Sequence, residues 1–67
     1  DSELVDTLEA LLWMPELSLV AKSMGIHLKT VQFRRKRIQE ILGVNLGDAD
    51  TRLTLSIAVR LSRLKSR

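Results

Sequence analysis

Apolar residues recur every three or four positions along this chain, the spacing that places them on one face of a helix. The pattern is interrupted at Pro15, Gly25 and Gly43, where helices are expected to end. Alternation of apolar and polar residues is rare, and no Asn-Gly or Asp-Gly pair marks a hairpin turn. The sequence therefore predicts an all-α fold of four helices, in one domain over residues 1–67.

The first two helices are predicted on either side of Pro15. The first covers residues 3–12, with Ser2 as its N-terminal cap. Pro15 disfavours helical geometry at the residue before it and so marks a break. The second helix has Ser18 as its cap and ends before Gly25, whose left-handed backbone closes it.

The third helix is predicted over residues 28–42 and is closed by Gly43. Its apolar sector is formed by Val31, Ile38 and Leu42. Arg35 lies inside this sector and is an anomaly, because a charged group is rarely buried without a partner. We expect its aliphatic stem to follow apolar surface while its guanidinium reaches solvent or a phosphate.

The fourth helix is predicted to begin with Asp48 as its cap. Its main apolar stripe consists of Leu53, Ile57, Leu61 and Leu64. Leu55 and Val59 form a smaller stripe on the opposite side. A helix that is apolar on two sides usually has two neighbours, and the second is either another subunit or a domain outside this chain. We expect a homodimer of the full-length protein, through Leu55 and Val59 or through the N-terminal part outside this chain.

Side-chain chemistry excludes several classes of function. With no cysteine and one histidine, the chain lacks the ligands of a thiolate or histidine-rich metal site. It also lacks a phosphate-binding glycine loop and paired catalytic carboxylates, so we expect no enzyme activity and no cofactor. No apolar run approaches the roughly 20 residues of a membrane span. We expect a cytoplasmic protein and, since the sequence opens without methionine, a piece of a longer one.

Charge is distributed unevenly, although the net charge is only +3. Residues 1–17 contain five carboxylates and neither lysine nor arginine. Residues 22–40 contain six basic side chains against the single carboxylate of Glu40. This asymmetry indicates a polyanionic partner for the middle segment; a solvated basic helix face is the alternative.

Residues 18–42 have the spacing of a helix-turn-helix unit. Ala21 is small enough for two helices to cross closely, and Gly25 permits the positive φ of a tight turn. Ile26 and Val31 would fill the angle between the helices. In this motif the second helix enters the major groove of DNA.

The outward side of the third helix carries residue types that contact DNA. They are Lys29, Thr30, Gln32, Phe33, Arg34, Lys36 and Arg37. Lysine and arginine neutralise phosphates, whereas threonine, glutamine and arginine can also reach base edges. Residues near the start of such a helix are the ones expected to reach bases.

The string Gly25-Ile26-His27, Thr30, Phe33-Arg34, Arg37-Ile38 and Leu42-Gly43 resembles the C-terminal helix-turn-helix domain of PucR-type regulators. These include the purine-catabolism and sugar-diacid (CdaR-like) regulators of bacteria. The resemblance continues to Arg60-Leu61 and takes in the leucine-rich first helix. It implies a Fis-like, homeodomain-like core of three helices with an added C-terminal helix.

The resemblance implies sequence-specific binding of double-stranded DNA by a bacterial transcription regulator, with residues 28–42 as the recognition helix. It implies an N-terminal sensory domain outside this chain. It also implies DNA-binding roles for His27, Lys29, Thr30, Gln32, Phe33 and Arg34. Leu28, Lys29 and Gln32 depart from the residues usual in the family, so base preference cannot be carried over. Arg35 stands where leucine is usual, and Met14-Pro15-Glu16 replaces an Asn-Gly-Asn-like stretch.

Several alternatives remain open at this point. His27 would either cap its helix or contact a phosphate, and Phe33 would be exposed for DNA contact or, in a rotated helix, part of the core. Trp13 is expected in the core or as a lid over it. The competing function is a helical protein-interaction module whose basic face meets an acidic protein, and RNA is a further possible partner.

Overall fold

The computed structural model describes residues 2–14 and 16–65 of the chain. Its helices are α1 (Ser2–Trp13), α2 (Leu17–Met24), α3 (Leu28–Leu42) and α4 (Ala49–Lys65). The described residues contain no strand, so the prediction of an all-α fold is confirmed. The break predicted at Pro15 lies outside the described residues. None of the helices in the described ranges has the length and apolar character needed to cross a membrane.

Glycines close α2 and α3, as the sequence predicts. Gly25 and Gly43 have φ values of 67° and 64°, in the left-handed region that strains other residues. After α2, the Ile26 N–H donates to the Ala21 carbonyl at 3.0 Å and the Gly25 N–H donates to the Lys22 carbonyl at 3.3 Å. This pair of bonds is the Schellman arrangement, which satisfies carbonyls that the end of a helix would otherwise leave open.

The serine caps predicted for α1 and α2 are wrong. Ser2 is itself the first residue of α1. At α2 the cap position belongs to Glu16, whose extended backbone lets its carbonyl accept from the N–H groups of Leu19 and Val20. The Glu16 side chain makes no capping bond, so the main chain alone sets the start of this helix.

The core lies between α1, α2, α3 and the loop that follows α3. Its buried apolar residues are Leu8, Leu11, Val20, Ala21, Val31, Ile38 and Leu46. Leu42, which the helical pattern also places in the core, is 44% exposed at the end of α3. Leu46 enters the core from the loop because its N–H donates to the Gln39 side-chain oxygen at 2.8 Å.

The two apolar stripes of α4 have the opposite roles to those predicted. Leu55 and Val59 are half-buried and pack against the core. The longer stripe that begins at Leu53 is exposed. Hydrogen bonds determine which side of α4 faces inward. Arg52 and Arg63 both bond to α1, and they lie on the same side of α4 as Leu55 and Val59. Leu55 and Val59 are therefore not available as the dimer contact that the sequence suggested.

Arg52 joins α4 to the end of α1. Its guanidinium donates to the Leu11 carbonyl at 2.7 Å and to the Leu46 carbonyl at 3.2 Å. The Leu11 carbonyl belongs to the last turn of α1, where carbonyls lack partners within the helix and the dipole favours a positive charge. One side chain thus links α1, α4 and the loop after α3.

Trp13 is not a core residue, so the first of its two predicted positions, in the core or as a lid over it, is wrong. It lies at the end of α1 and is 66% exposed. The Arg60 guanidinium carbon lies 4.5 Å from the centre of its ring, which is a cation–π contact. The ring therefore rests against α4 at the surface instead of filling the interior.

Asp48 caps α4 as predicted, and this contact makes stability depend on pH. Its carboxylate accepts from the Thr51 N–H at 2.9 Å and from the Thr51 hydroxyl at 2.8 Å. These bonds, the backbone bond first, lower the pKa of Asp48. Because the pKa is lower in the folded state, the cap contributes fully above the unfolded-state pKa and is lost as the pH falls through the folded-state value.

We expect Asp48→Asn to flatten this part of the acid-unfolding curve, because asparagine caps a helix but does not titrate. Thermal melts of the original chain and the variant should converge as the pH falls through the folded-state pKa of Asp48. A difference in melting temperature that does not change with pH would contradict this role for Asp48.

Candidate nucleic-acid interface

The corner between α2 and α3 has the packing of a helix-turn-helix unit. Val31 is 0% exposed and Ala21 is 7% exposed, and Ile26 packs against this cluster from the turn. Each residue has the position that the sequence analysis gave it. The corner is therefore rigid and holds α3 at a fixed angle on the surface.

Exposed side chains of mixed chemistry line the side of α3 away from the core. This α3 outer face consists of Lys29, Gln32, Phe33, Lys36 and Arg37. The face is about 12 Å long at 1.5 Å per residue, and a helix with its side chains is about 10–12 Å across, which fits the width of the major groove of B-DNA. Phe33 is 69% exposed, so the rotated-helix alternative, with Phe33 in the core, is wrong.

His27 and Thr30 flank the start of the α3 outer face. His27 occupies the N-cap position of α3, as one of its two predicted roles requires, but it caps through its main chain, because its side chain makes no capping bond. Its carbonyl accepts from the N–H groups of Thr30 and Val31 at 3.0 and 3.2 Å, and its exposed imidazole lies beside the positive end of the helix dipole. Thr30 is half-buried at the edge of the face.

Arg34 does not lie on the outward side where the sequence analysis placed it. Its side chain is 19% exposed. Its guanidinium donates to the Thr7 hydroxyl at 3.2 Å and approaches the Glu3 carboxylate at 3.4 Å. Thr7 is fully buried and donates in turn to the Glu3 carbonyl at 2.8 Å. Arg34 therefore joins α3 to α1.

Arg35 follows apolar surface, as its position in the apolar sector suggests. It is half-buried and lines a cleft with Leu11, Leu17, Leu46 and other residues near the end of α1. The stem of an arginine can cover such a surface while its guanidinium stays near water. This orientation of the Arg35 side chain explains why an arginine is found in the apolar sector of α3.

The basic run 34–37 is thus divided between two sides of α3. Arg34 and Arg35 turn towards the rest of the domain, whereas Lys36 and Arg37 remain outward with Lys29. Glu40 is exposed one turn beyond Lys36. The outward positive charge of α3 is therefore limited to its first three turns, and it comes from three of the five cations of this helix.

The two orientations within this run predict different effects of mutation. We expect Arg34→Met to lower the free energy of unfolding by about 1 kcal/mol, because it removes a part-buried hydrogen bond to Thr7 and an exposed contact with Glu3. Arg37→Met, the matched change on the exposed side, should cost less than about 0.5 kcal/mol. Urea unfolding measures both. Equal effects would mean that the Arg34 contacts with α1 do not stabilise the fold.

The described residues contain no group of histidine, aspartate or glutamate side chains that could hold a metal ion. In the same residues, every buried side-chain nitrogen or oxygen has a hydrogen-bond partner. The polar groups of the described interior are thus used in structure.

Comparison with known proteins agrees with this geometry. A family model described as the PucR C-terminal helix-turn-helix domain matches residues 4–61. The chain belongs to this family. The PucR match begins in α1 and ends in α4, so it includes the corner and the complete α3 outer face.

Two curated proteins are similar to this PucR-type domain. The purine catabolism regulatory protein of Bacillus subtilis is 37% identical over 51 residues, which are 76% of this chain and 10% of that protein. The carbohydrate diacid regulator of Escherichia coli is 42% identical over 41 residues, which are 61% of this chain and 11% of that protein. The chain therefore spans about a tenth of these relatives. No solved structure gives a significant match.

Proposed function

We propose that this chain is the DNA-binding domain of a bacterial transcription regulator and that α3 lies in the major groove of double-stranded DNA. The observation that carries the proposal is the α3 outer face, which leaves basic, amide and aromatic side chains exposed on the second helix of a helix-turn-helix corner. The names of both curated relatives describe them as regulators.

The residues of the α3 outer face divide into two roles. Lys29, Lys36 and Arg37 supply the phosphate contacts, with His27 and Thr30 at the edge of the face. Gln32 can bond the edge of adenine through its amide, and Phe33 can contact a thymine methyl group. Sequence specificity in this scheme comes from Gln32 and Phe33, together with any arginine or lysine that reaches a guanine.

The pairing of Arg34 with α1 changes its role in this proposal. Because its guanidinium already bonds Thr7 and Glu3, Arg34 fixes the angle of α3 and does not bind DNA directly. The remaining contacts give a short basic surface on one unit. We therefore propose that the full-length protein is a homodimer, so that two units bind half-sites about one helical turn apart.

We further propose that a sensory domain controls this unit in the full-length protein. The similarity to relatives of which the matched segment is only about a tenth supports a modular regulator, of which this chain is the part that reads DNA. The mechanism is binding without catalysis, and the four helices need no cofactor for it.

Fluorescence anisotropy with a labelled mixed-sequence DNA duplex tests the proposal. Three phosphate contacts predict a slope of about −2.7 in a plot of log affinity against log salt concentration. Duplex RNA of the same sequence should bind more weakly, because its deep, narrow major groove does not admit a helix. Failure to bind the DNA duplex even at low salt would contradict the proposal.

The competing function, binding to an acidic protein, is separated by competition. The two competitors are compared at equal concentrations of negative charge, counted as phosphates for DNA and as carboxylates for polyglutamate. We expect an unlabelled DNA duplex to displace the labelled duplex at a much lower concentration of negative charge than polyglutamate does. The reason is that phosphates at groove spacing match the α3 outer face, whereas a flexible carboxylate chain offers charge alone. Equal displacement per charge would favour the protein-interaction module.

A further inference from the structure

The outward side of α4 carries an apolar stripe that has no neighbour within the domain. It consists of Leu53, Ile57, Leu61 and Leu64, which are 63%, 53%, 58% and 69% exposed. This α4 outer stripe extends over three helical turns, and Trp13 is exposed beside it under Arg60. Isolated apolar side chains are normal on a surface, whereas a continuous stripe of this kind marks an interface.

The chain exposes more surface than a typical folded protein of its mass. The accessible surface is 5014 Å² for a mass of 7.6 kDa. A folded monomer of this mass is expected to expose about 4,300 Å². The difference is in keeping with apolar side chains left uncovered, such as those of the α4 outer stripe.

The charges at the two ends of the stripe indicate what covers it. Asp50 is exposed at the N-terminal end of α4, and Lys65 is exposed at its C-terminal end. When two such helices lie antiparallel, Asp50 of each meets Lys65 of the other, and the helix dipoles also oppose each other. A parallel pair would bring Lys65 against Lys65 and Asp50 against Asp50.

We propose that the α4 outer stripe binds the same stripe of a second copy of this chain in an antiparallel pair. In this register Leu53 meets Leu64 of the partner, and Ile57 lies near the two-fold axis between them. The arrangement is self-complementary, as a two-fold interface requires. The interface is made by the stripe opposite to Leu55 and Val59, which the domain uses internally.

This proposal goes beyond DNA binding and does not depend on it. The experiments that test the dimer contain no nucleic acid, so the dimer proposal and the DNA-binding proposal can each be contradicted without the other. Because the stripe offers only four apolar side chains, we expect a weak dimer of the isolated chain, with a dissociation constant of roughly 10–100 μM.

Sedimentation equilibrium on the complete chain measures the association. We expect the weight-average mass to rise from 7.6 kDa towards twice that value as the concentration increases from ~10 μM to ~1 mM. Ile57→Lys should weaken the dimer at least tenfold, because it puts a charge beside Arg60 of the partner and into the apolar contact. Ala58→Lys, the matched control, adds the same charge to the neighbouring exposed position and should leave the dimer unchanged.

A charge exchange tests the antiparallel direction. Asp50→Lys should weaken the homodimer several-fold, because the introduced ammonium group would then face Lys65 of the partner. Adding Lys65→Asp in the same chain should restore the association. In a parallel dimer Asp50 would face Asp50 of the partner. Asp50→Lys would then replace a pair of negative charges by a pair of positive charges, and the dimer affinity would change little.

Three results would overturn the proposal. They are a mass that stays at 7.6 kDa up to ~1 mM, equal weakening by Ile57→Lys and Ala58→Lys, and a dimer that does not respond to the charge exchange. Circular dichroism checks that each variant keeps its helical content. Since the substituted residues are all exposed, their helices should remain folded.

Discussion

Replacement of Leu46 by alanine is expected to leave most of the chain unfolded at room temperature. Leu46 is 1% exposed and is one of the largest fully buried side chains. Leucine-to-alanine changes in a core cost about 2–5 kcal/mol, because the apolar contact is lost and a cavity remains. A domain of this size has only about 3–5 kcal/mol in total, so a single cavity can remove nearly all of its stability.

Leu64→Ala is the matched control, because it makes the same chemical change at a side chain that is 69% exposed. Far-ultraviolet circular dichroism during urea titration compares the two variants. We expect Leu64→Ala to unfold with the original chain, and Leu46→Ala to lack a folded baseline. A Leu46→Ala midpoint close to that of the original chain would show that the loop after α3 is not part of the core.

The double change Lys29→Gln and Lys36→Gln is expected to produce the largest loss of DNA affinity. It removes two of the three cations on the α3 outer face while leaving the buried contacts of α3 intact. Each phosphate contact contributes roughly one log unit of affinity at ~50 mM salt, so the affinity should fall about a hundredfold. The salt slope should fall from about −2.7 to about −0.9.

Arg60→Gln with Lys65→Gln is the matched control. Both double variants change the net charge from +3 to +1, but the control changes α4 and not α3. At chain concentrations below ~10 μM, where the α4 pair is not formed, the control should bind the duplex with nearly the original affinity and slope. If both variants lose affinity equally, binding follows net charge and the α3 outer face is not the site.

The ends of the helices could be predicted from the sequence where one residue type determines the backbone conformation or the cap. Gly25 and Gly43 adopt the positive φ that they favour, and Asp48 has the short acidic side chain that caps a helix. These are local effects, so they can be read from a few neighbouring residues. The caps assigned to Ser2 and Ser18 failed because the main chain starts α2 through Glu16 and α1 already includes Ser2.

The orientation of α4 could not be predicted, because both of its stripes are apolar. The longer one, from Leu53 to Leu64, gives the stronger signal in the sequence. The shorter one is inward because Arg52 reaches carbonyls that are 40 and 41 positions away in the chain. A contact over that distance leaves no local pattern, and the role of Arg52 was accordingly missed.

The candidate site was predictable as a face but not residue by residue. Helical spacing places Lys29, Phe33 and Lys36 together on the outside, as the structure has them. Arg34 lies near the boundary between the two sides, and its direction is decided by the buried hydroxyl of Thr7. The basic run therefore suggested more outward charge than the folded chain presents.

An amide-shift titration by NMR with mixed-sequence DNA duplex tests the central claim most directly. It detects weak binding by one unit and names the residues that respond. We expect shifts concentrated in His27, Lys29, Gln32, Phe33 and Lys36 that fade as salt is added. Shifts centred on the α4 outer stripe, or no shifts at low salt, would contradict the assignment of α3 as the helix that binds DNA.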